Sequence, residues 1–130
     1  APMAQRTAII PAGAPAPVAP YSPGLACGGL LFVSGQLPVD PATGTFVEGD
    51  MGARARQCLR NVQAVAQAAG ADLDRVVKVT VFLTDLADFA AMNAAYGEFF
   101  TAPFPARSTI QVAGLPLGSN IEIEAIIDLP

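Results

Sequence analysis

The stretch that decides the fold is "GGLLFVSG", Gly28 to Gly35. Its glycines bound a short run of aliphatic and aromatic residues, which is typical of a buried β-strand. Successive side chains of a strand point to opposite faces of the sheet, and here Leu30 and Phe32 oppose Leu31 and Val33. We therefore expect both faces of this strand to be covered.

The rest of the chain predicts further strands and two helices. Further strands are expected at about 5–10, 45–47 (as the second strand of a hairpin), 75–83, 106–112 and 120–128. A first helix is predicted from an N-cap at Asp50 to Gly70, and a second from Asp85 or Asp88 to the turn "TAPFP". These elements predict an α+β sandwich in one domain, residues 1–130, whose first 20 residues hold a short strand and a Pro-rich loop.

Two helices can cover only one face of such a sheet. The central strands nevertheless carry apolar residues on both faces, and an exposed apolar face of that size usually marks a protein interface. The sequence therefore predicts a homo-oligomer that buries the second face.

Composition narrows the chemistry. The chain has 7 Lys and Arg against 11 Asp and Glu, a net charge of -4, which disfavours a nucleic-acid partner. The nearest basic cluster, Arg54, Arg56 and Arg60, has the spacing of a solvated helix face. The absence of histidine removes the usual general base and metal ligand, and 2 cysteines outside any metal-binding motif give no support for a metal site or a disulfide framework. We see no membrane span or secretion signal, so the expected location is the cytoplasm.

Two acidic side chains share one face of the last predicted strand. In "NIEIEAIID", Glu122 and Glu124 alternate with apolar residues that would pack on the helices. The alternation alone favours an ordinary solvated face. If that face is instead an interface, loss of hydration raises the pKa of a carboxyl group, which can then act as an acid or base near neutral pH.

Arg107 is an isolated cation between a proline turn and a predicted strand, in "FPARSTIQVAGLP". A lone arginine of this kind is more often part of a surface ion pair than a ligand clamp. Its planar fork is nevertheless suited to bidentate binding of a carboxylate. Because the strands of Arg107 and Glu122 are successive in the chain, we expect them to be neighbours in one sheet, forming either a salt bridge or an anion clamp beside an acid/base.

Several segments together resemble a known family. In order and spacing, "LFVSGQLPVDPATG", "NAAY", "PARS" and "IEIEA", with the helical segment that starts at "GDMGARARQCLRN", resemble the Rid (YjgF-type) family of reactive enamine/imine deaminases. The resemblance covers about Tyr21 to Leu129. It implies a chorismate-mutase-like protomer with a mixed sheet of about six strands and two helices on one face. It also implies a homotrimer with the sheets inside and an active site in each cleft between subunits.

The resemblance implies an activity and a set of site residues. Members hydrolyse 2-enamine/2-imine acids, such as 2-aminoacrylate/2-iminopropanoate and 2-iminobutanoate, to 2-keto acids and ammonia without a cofactor. Arg107 would bind the substrate carboxylate, and Glu122 would hold and activate the attacking water. Substrate contacts are implied for Tyr21, Ser34, Gly35, Asn93 and the backbone at Thr109.

Some residues depart from the family pattern. Thr109 stands where many members have cysteine, and Pro23 in "YSPG" replaces a commoner glutamine, so the substrate range is open. One alternative is a non-catalytic module of the same fold that binds or senses small carboxylates through Arg107. Another, an RNA-directed endonuclease, is disfavoured by the acidic balance and the lack of histidine.

Overall fold

Eight strands and two α-helices make up the fold in a computed structural model that describes residues 3–14 and 17–130. The strands are β1 Thr7–Ile9, β2 Gly24–Cys27, β3 Leu30–Gln36, β4 Val39–Asp40, β5 Thr45–Phe46, β6 Val76–Leu83, β7 Ala106–Gln111 and β8 Ile121–Asp128. The helices are α1 Met51–Ala68 and α2 Phe89–Tyr96. Six strands form one mixed sheet in the order β1-β2-β3-β8-β6-β7, with only β6 and β7 parallel, and β4 pairs separately with β5. The predicted α+β architecture is confirmed.

The hydrophobic core lies between one face of this sheet and the helices. The sheet contributes alternate residues of its central strands, Leu31, Val33, Val79, Val81, Leu83, Ile121, Ile123, Ala125 and Ile127. Helix α1 begins as predicted at Asp50, whose side chain accepts a hydrogen bond from the Ala53 N–H at 3.0 Å. No helix in residues 3–14 and 17–130 has both the length and the apolar character that a membrane crossing requires.

Strand β2 was not predicted from the sequence. Its four residues, "GLAC", carry no alternating pattern, and their extended conformation is stabilised by pairing with β1 and β3. The signal that identifies β2 is the turn after it, because Gly28 and Gly29 have φ values of 62° and 80°. Two consecutive residues with positive φ form the tight turn that matches the twist of a β-hairpin, and glycine adopts this conformation without strain.

The predicted second strand at 45–47 does form a hairpin, but within a separate small sheet. The Asp40 side chain accepts a hydrogen bond from the Ala42 N–H at 2.9 Å and closes the turn locally. Strand β5 therefore pairs with β4 and does not extend the main sheet.

Helix α2 is shorter than predicted. Its backbone pattern changes after Tyr96, where the N–H groups of Glu98 and Phe99 bond to carbonyls three residues back, at Ala95 and Tyr96. This tighter turn replaces the α-helical pattern. The aromatic spacing that predicted a longer helix is instead satisfied by a turn that still buries Phe100.

The sheet face opposite the helices is uncovered in the protomer and carries exposed apolar side chains among polar ones, such as Lys78 and Ser108. Phe32, Val77 and Ile110 are 43%, 46% and 44% exposed, and the half-buried Phe82 and Ile126 lie among them. The helices thus cover one face only, as predicted. We refer to the other side as the open face, and we expect a second copy of the chain to cover it.

We predict that an aspartate at Phe32 disrupts assembly and leaves the protomer folded. The side chain contributes to the open face and not to the core, so the charge would be buried only in an interface between copies. Sedimentation velocity should show a smaller species for Phe32→Asp, with an unchanged circular dichroism spectrum. The matched control is Leu86→Asp, which is 44% exposed outside the sheet. A wild-type monomer, or a variant that sediments like the wild type, would contradict the prediction.

Candidate functional site

Arg107 lies on the helix-covered side of the sheet, at its β7 edge. In the parallel pairing it is opposite Val79, whose buried side chain faces the helices. From there its Nη1 donates a hydrogen bond to the Oδ1 atom of Asn93 at 2.8 Å. The guanidinium carbon lies 4.6 Å from the centre of the Tyr96 ring and 5.6 Å from the centre of the Phe89 ring. Three residues of α2 therefore hold this cation.

No carboxylate lies within 4.0 Å of the Arg107 guanidinium in the described part of the chain. The ion pairs found there are Arg56 with Glu98 and Arg75 with Asp128. The surface ion pair that a lone arginine suggests is therefore not formed in the protomer. Instead, Arg107 lines a cavity of about 430 Å³ whose other lining residues are Asn93, Tyr96, Gly97, Phe104 and Pro105. A guanidinium that faces a partly apolar cavity without an acidic partner can bind an anionic ligand.

Glu122 lies on the open face and contacts the backbone of Gly35. A methyl group at Gly35 would sit 2.6 Å from the Glu122 carboxyl carbon and 2.8 Å from its Oε1, closer than atoms can approach. Pairing between β3 and β8 shifts register between Val33 and Gln36, so the chain bulges at Ser34 and Gly35. Glycine at this position lets the carboxylate lie directly against the bulged backbone.

The environment of Glu122 favours its neutral form. Burial raises the pKa of this carboxyl above its ordinary value of 4.5, and the negative charge of Glu124 on the same face adds to the effect. A carboxyl group shifted in this direction is suited to exchanging a proton close to neutral pH. The predicted pair of acidic side chains on one strand face is present.

A second cavity, of about 440 Å³, brings Tyr21 and Ser34 together with Glu124. The Ser34 Oγ donates to the carbonyl of Ser22 at 2.6 Å, and the Ser34 N–H donates to the carbonyl of Pro23 at 2.9 Å. These bonds tie the end of the Pro-rich loop to the bulge. Because both donors of Ser34 are occupied, it holds the loop in place and does not offer an N–H to a ligand.

Arg107 and Glu122 do not lie on neighbouring strands, so that expectation is wrong. Strand β6 separates β7 from β8, because a short connection after β7 passes over β6 before β8 begins. The two side chains also point to opposite faces, since Arg107 is opposite Val79 and Glu122 is opposite Phe82. Within one protomer they cannot contact the same small molecule.

Thr109 and Tyr96 carry buried hydroxyl groups. Thr109 is two residues after Arg107 on the same face of β7, and neither its Oγ1 nor the Tyr96 hydroxyl has a hydrogen-bond partner among the described residues. Burial raises the pKa of the Tyr96 hydroxyl, although the charge of Arg107 opposes that shift. Tyr96 also lines the Arg107 cavity, so its hydroxyl is available to a ligand or to water there.

Sequence reasoning missed Phe89 as a contact of Arg107. Phe89, Asn93 and Tyr96 are spaced by four and three residues, which places them on one side of α2. The sequence shows this spacing. It does not show which strand that side of the helix faces. In residues 3–14 and 17–130, no group of three or more His, Cys, Asp or Glu side chains is arranged to hold a metal ion.

Comparisons with known proteins identify relatives over most of the chain. The family model described as endoribonuclease L-PSP matches residues 12–128. A RutC family protein, y4sK of Sinorhizobium fredii, is 55% identical over 116 residues, which cover 89% of this chain and 92% of that protein. A protein of Salmonella typhimurium named 2-iminobutanoate/2-iminopropanoate deaminase is 53% identical over 116 residues, covering 87% of this chain and 90% of that one.

A solved structure shows the same fold. The crystal structure of E. coli TdcF with bound serine has a TM-score of 0.88 and 42% identity, covering 95% of this chain and 99% of that one. The six-stranded sheet and two helices described above are thus those of an established fold. On sequence and structure together, this chain belongs to the endoribonuclease L-PSP family, the Rid (YjgF-type) family that its motifs resemble.

Proposed function

We propose that this protein hydrolyses reactive 2-enamine/2-imine acids, 2-aminoacrylate/2-iminopropanoate and 2-iminobutanoate, to 2-keto acids and ammonia. The observation that carries the proposal is Arg107, a fixed guanidinium at a cavity, with no carboxylate of the described residues within 4.0 Å. A 2-imino acid supplies the missing carboxylate and places its C=N group next to it. Relatives at 53% and 52% identity that carry the name of this deaminase support the same reaction.

The chemistry needs positioning and proton transfer more than a strong nucleophile. An imine carbon is already electrophilic, so a held water molecule can add to it and form a C–O bond while the C=N double bond becomes single. The resulting carbinolamine loses ammonia as the C–N bond breaks, and the oxygen becomes the keto group. Glu122 takes one proton from the attacking water and delivers it to the imine nitrogen, which becomes the amine of the carbinolamine. It then takes the proton of the carbinolamine hydroxyl and delivers it to the same nitrogen, which leaves as ammonia. The raised pKa of Glu122 suits both transfers.

The active site is assembled between subunits of a homotrimer. Arg107 and Glu122 of one protomer face opposite sides of the sheet, so one substrate must take its carboxylate clamp from one subunit and its acid/base from the next. The apolar open face, with Phe32 and Ile110 exposed, supports an assembly that brings such residues together.

The remaining site residues surround this centre. Asn93 lies beside the clamp, and the Thr109 backbone helps to hold the water on the same strand as Arg107. Tyr21, 59% exposed at the end of the Pro-rich loop, closes the cleft over the substrate. The Gly35 N–H contacts the ligand next to Glu122, while Ser34 keeps the bulge in position.

The charge distribution disfavours RNA as the substrate, although the family is described as endoribonuclease L-PSP. The net charge is -4, Arg56 and Arg75 are engaged in ion pairs, and Glu122 and Glu124 lie on the open face. Polyanion binding relies on clustered free cations. A non-catalytic protein that binds carboxylates would use the same Arg107 cavity. A measurement of turnover distinguishes that role from the enzyme.

We predict that Arg107→Ala lowers kcat/KM by about 10- to 100-fold, the value of charge-assisted hydrogen bonds to one carboxylate. Arg107→Lys should lie between this variant and the wild type, because it keeps the charge and loses the planar fork. The assay generates 2-aminoacrylate with a pyridoxal-phosphate-dependent dehydratase and follows keto-acid release against spontaneous hydrolysis. If the wild type does not accelerate the release, the deaminase is excluded and the carboxylate-binding role is favoured.

We predict that Glu122→Gln lowers kcat by about 100-fold or more, as expected for loss of a general acid/base, and makes the folded protein more stable at neutral pH. Because the pKa is raised on folding, the folded chain binds more protons than the unfolded chain between the ordinary and the raised value. The free energy of unfolding therefore falls as the pH rises through that window, and glutamine removes this loss. Thermal unfolding should show the gain at pH 7 and none at pH 4.

The neighbouring carboxylate provides a graded comparison. Glu124→Gln removes one of the two causes of the raised pKa, so the pH profile of kcat should shift to lower pH while Glu122 stays in place.

Full activity in Glu122→Gln would remove this residue from the mechanism and leave the role of Arg107 intact.

We predict that Arg107→Ala and Glu122→Gln subunits, each of low activity alone, restore activity when combined. In a closed trimer, any mixture of the two subunits contains one site with both intact residues, so mixed trimers purified through two different tags should recover about a third of wild-type activity. Trimers of either variant alone should show only the low activity of that variant. No recovery in the mixed trimers would place both residues of a site in the same subunit.

A further inference from the structure

The side chains that contact the Arg107 guanidinium are uncharged. We propose that Phe89, Asn93 and Tyr96 form a neutral cage that fixes the Arg107 fork and keeps its full charge for a small carboxylate. We call these three residues the arginine cage. They act through Arg107 as positioning residues. The inference rests on the proposed function for the identity of the substrate and on the contacts of Arg107 for the cage itself.

Two aromatic rings and one amide oxygen contact the guanidinium. The guanidinium carbon is 4.6 Å from the centre of the Tyr96 ring and 5.6 Å from that of Phe89, both within cation–π range. The Asn93 Oδ1 accepts a hydrogen bond from Nη1 at 2.8 Å. Guanidinium has five N–H donors, so one bond to Asn93 leaves others for a ligand.

Neutrality of the cage has a functional reason. A protein carboxylate beside Arg107 would also fix the side chain, but it would compete with the carboxylate of the substrate for the same N–H groups. Aromatic faces and an amide oxygen stabilise the cation through partial charges only. The arginine is thereby ordered before the ligand arrives, and ligand binding no longer bears the entropy cost of ordering a long side chain.

One helix supplies the whole cage. Phe89 is the first residue of α2, Tyr96 is the last, and Asn93 lies between them on the same side. Tyr96 is anchored in the core at 6% exposure, while Phe89 is 39% exposed and contributes little to the core. Phe89 can therefore be removed with little effect on folding, which makes it the decisive position.

The first test measures the affinity for pyruvate by isothermal titration calorimetry. Loss of one preorganising contact should weaken the Kd for Phe89→Ala by about three- to tenfold, the cost of ordering one flexible side chain. In an Arg107→Lys background, the same substitution should change the Kd by less than about twofold, because the planar partner is gone. Tyr96→Phe should bind more tightly than Tyr96→Leu, because the phenylalanine keeps the ring. Equal effects of Phe89→Ala in both backgrounds would overturn the cage.

The matched control is Phe46→Ala. The Phe46 ring lies 5.4 Å from the guanidinium carbon of Arg54, so this variant removes a similar contact outside the site. We expect an unchanged Kd for pyruvate. A loss equal to that of Phe89→Ala would show a general packing effect and overturn the proposal.

The second test adds a charge to the cage without changing its shape. Asn93→Asp places a carboxylate where the amide oxygen now accepts from Arg107 at 2.8 Å. We expect the thermal stability to be kept or raised while the Kd for pyruvate weakens by about tenfold or more, because the new carboxylate competes for the fork. Unchanged affinity in this variant would overturn the argument for neutrality.

These tests separate the cage from the deaminase reaction. Wild-type protein that binds pyruvate through the cage and does not accelerate imine hydrolysis would keep the cage and exclude the enzyme. If turnover depends on Arg107 and Phe89→Ala has the KM of the wild type, the enzyme hypothesis stands and the cage is excluded. Wild-type protein without affinity for pyruvate would overturn the cage as a device for small carboxylates.

Discussion

The main sheet carries apolar side chains on both faces, but helices cover only one face. The rest of the structure depends on this constraint. The helix side forms the core through aliphatic residues of β3, β6 and β8. The open face keeps Phe32, Val77 and Ile110 exposed between polar residues. Full burial of an apolar side chain is worth about 1.5–3 kcal/mol. These side chains are already more than half buried, so covering them would contribute only part of that amount each. The protomer thus leaves part of its apolar surface exposed.

The same constraint determines where chemistry can be placed. Arg107 faces the helices and Glu122 faces the open side, so the sheet itself separates a cation from a carboxylate of the same chain. If these two groups were neighbours, they would pair and neutralise each other. Their separation leaves both groups outside the ion pairs found among the described residues. Under the proposed function, an interface between copies brings them together on one molecule.

Both groups are held in states that do not favour stability. The pKa of Glu122 is raised by burial. Position 35 is a glycine, which lets this carboxylate contact a bulged strand. Arg107 is ordered by rings and an amide and lacks the carboxylate that would stabilise it most. Unfavourable local choices of this kind are typical of functional sites, where stability is exchanged for readiness to bind or react.

The sequence by itself determined the α+β class, helix α1 with its Asp50 cap, the two-sided apolar strands and the shared face of Glu122 and Glu124. These features are local, because they follow from side-chain periodicity and capping within single segments. Strand β2 escaped prediction because pairing with β1 and β3 defines it, and its own residues do not.

Only the tertiary structure decided the arrangement of the site. Chain order made Arg107 and Glu122 look like neighbours, but the parallel pairing of β7 with β6 puts β6 between them and turns their side chains to opposite faces. The aromatic stripe of α2 likewise indicated that one side of the helix is buried. It did not indicate which strand that side contacts. Strand order and helix placement are set by contacts between residues far apart in the chain, and no local pattern encodes them.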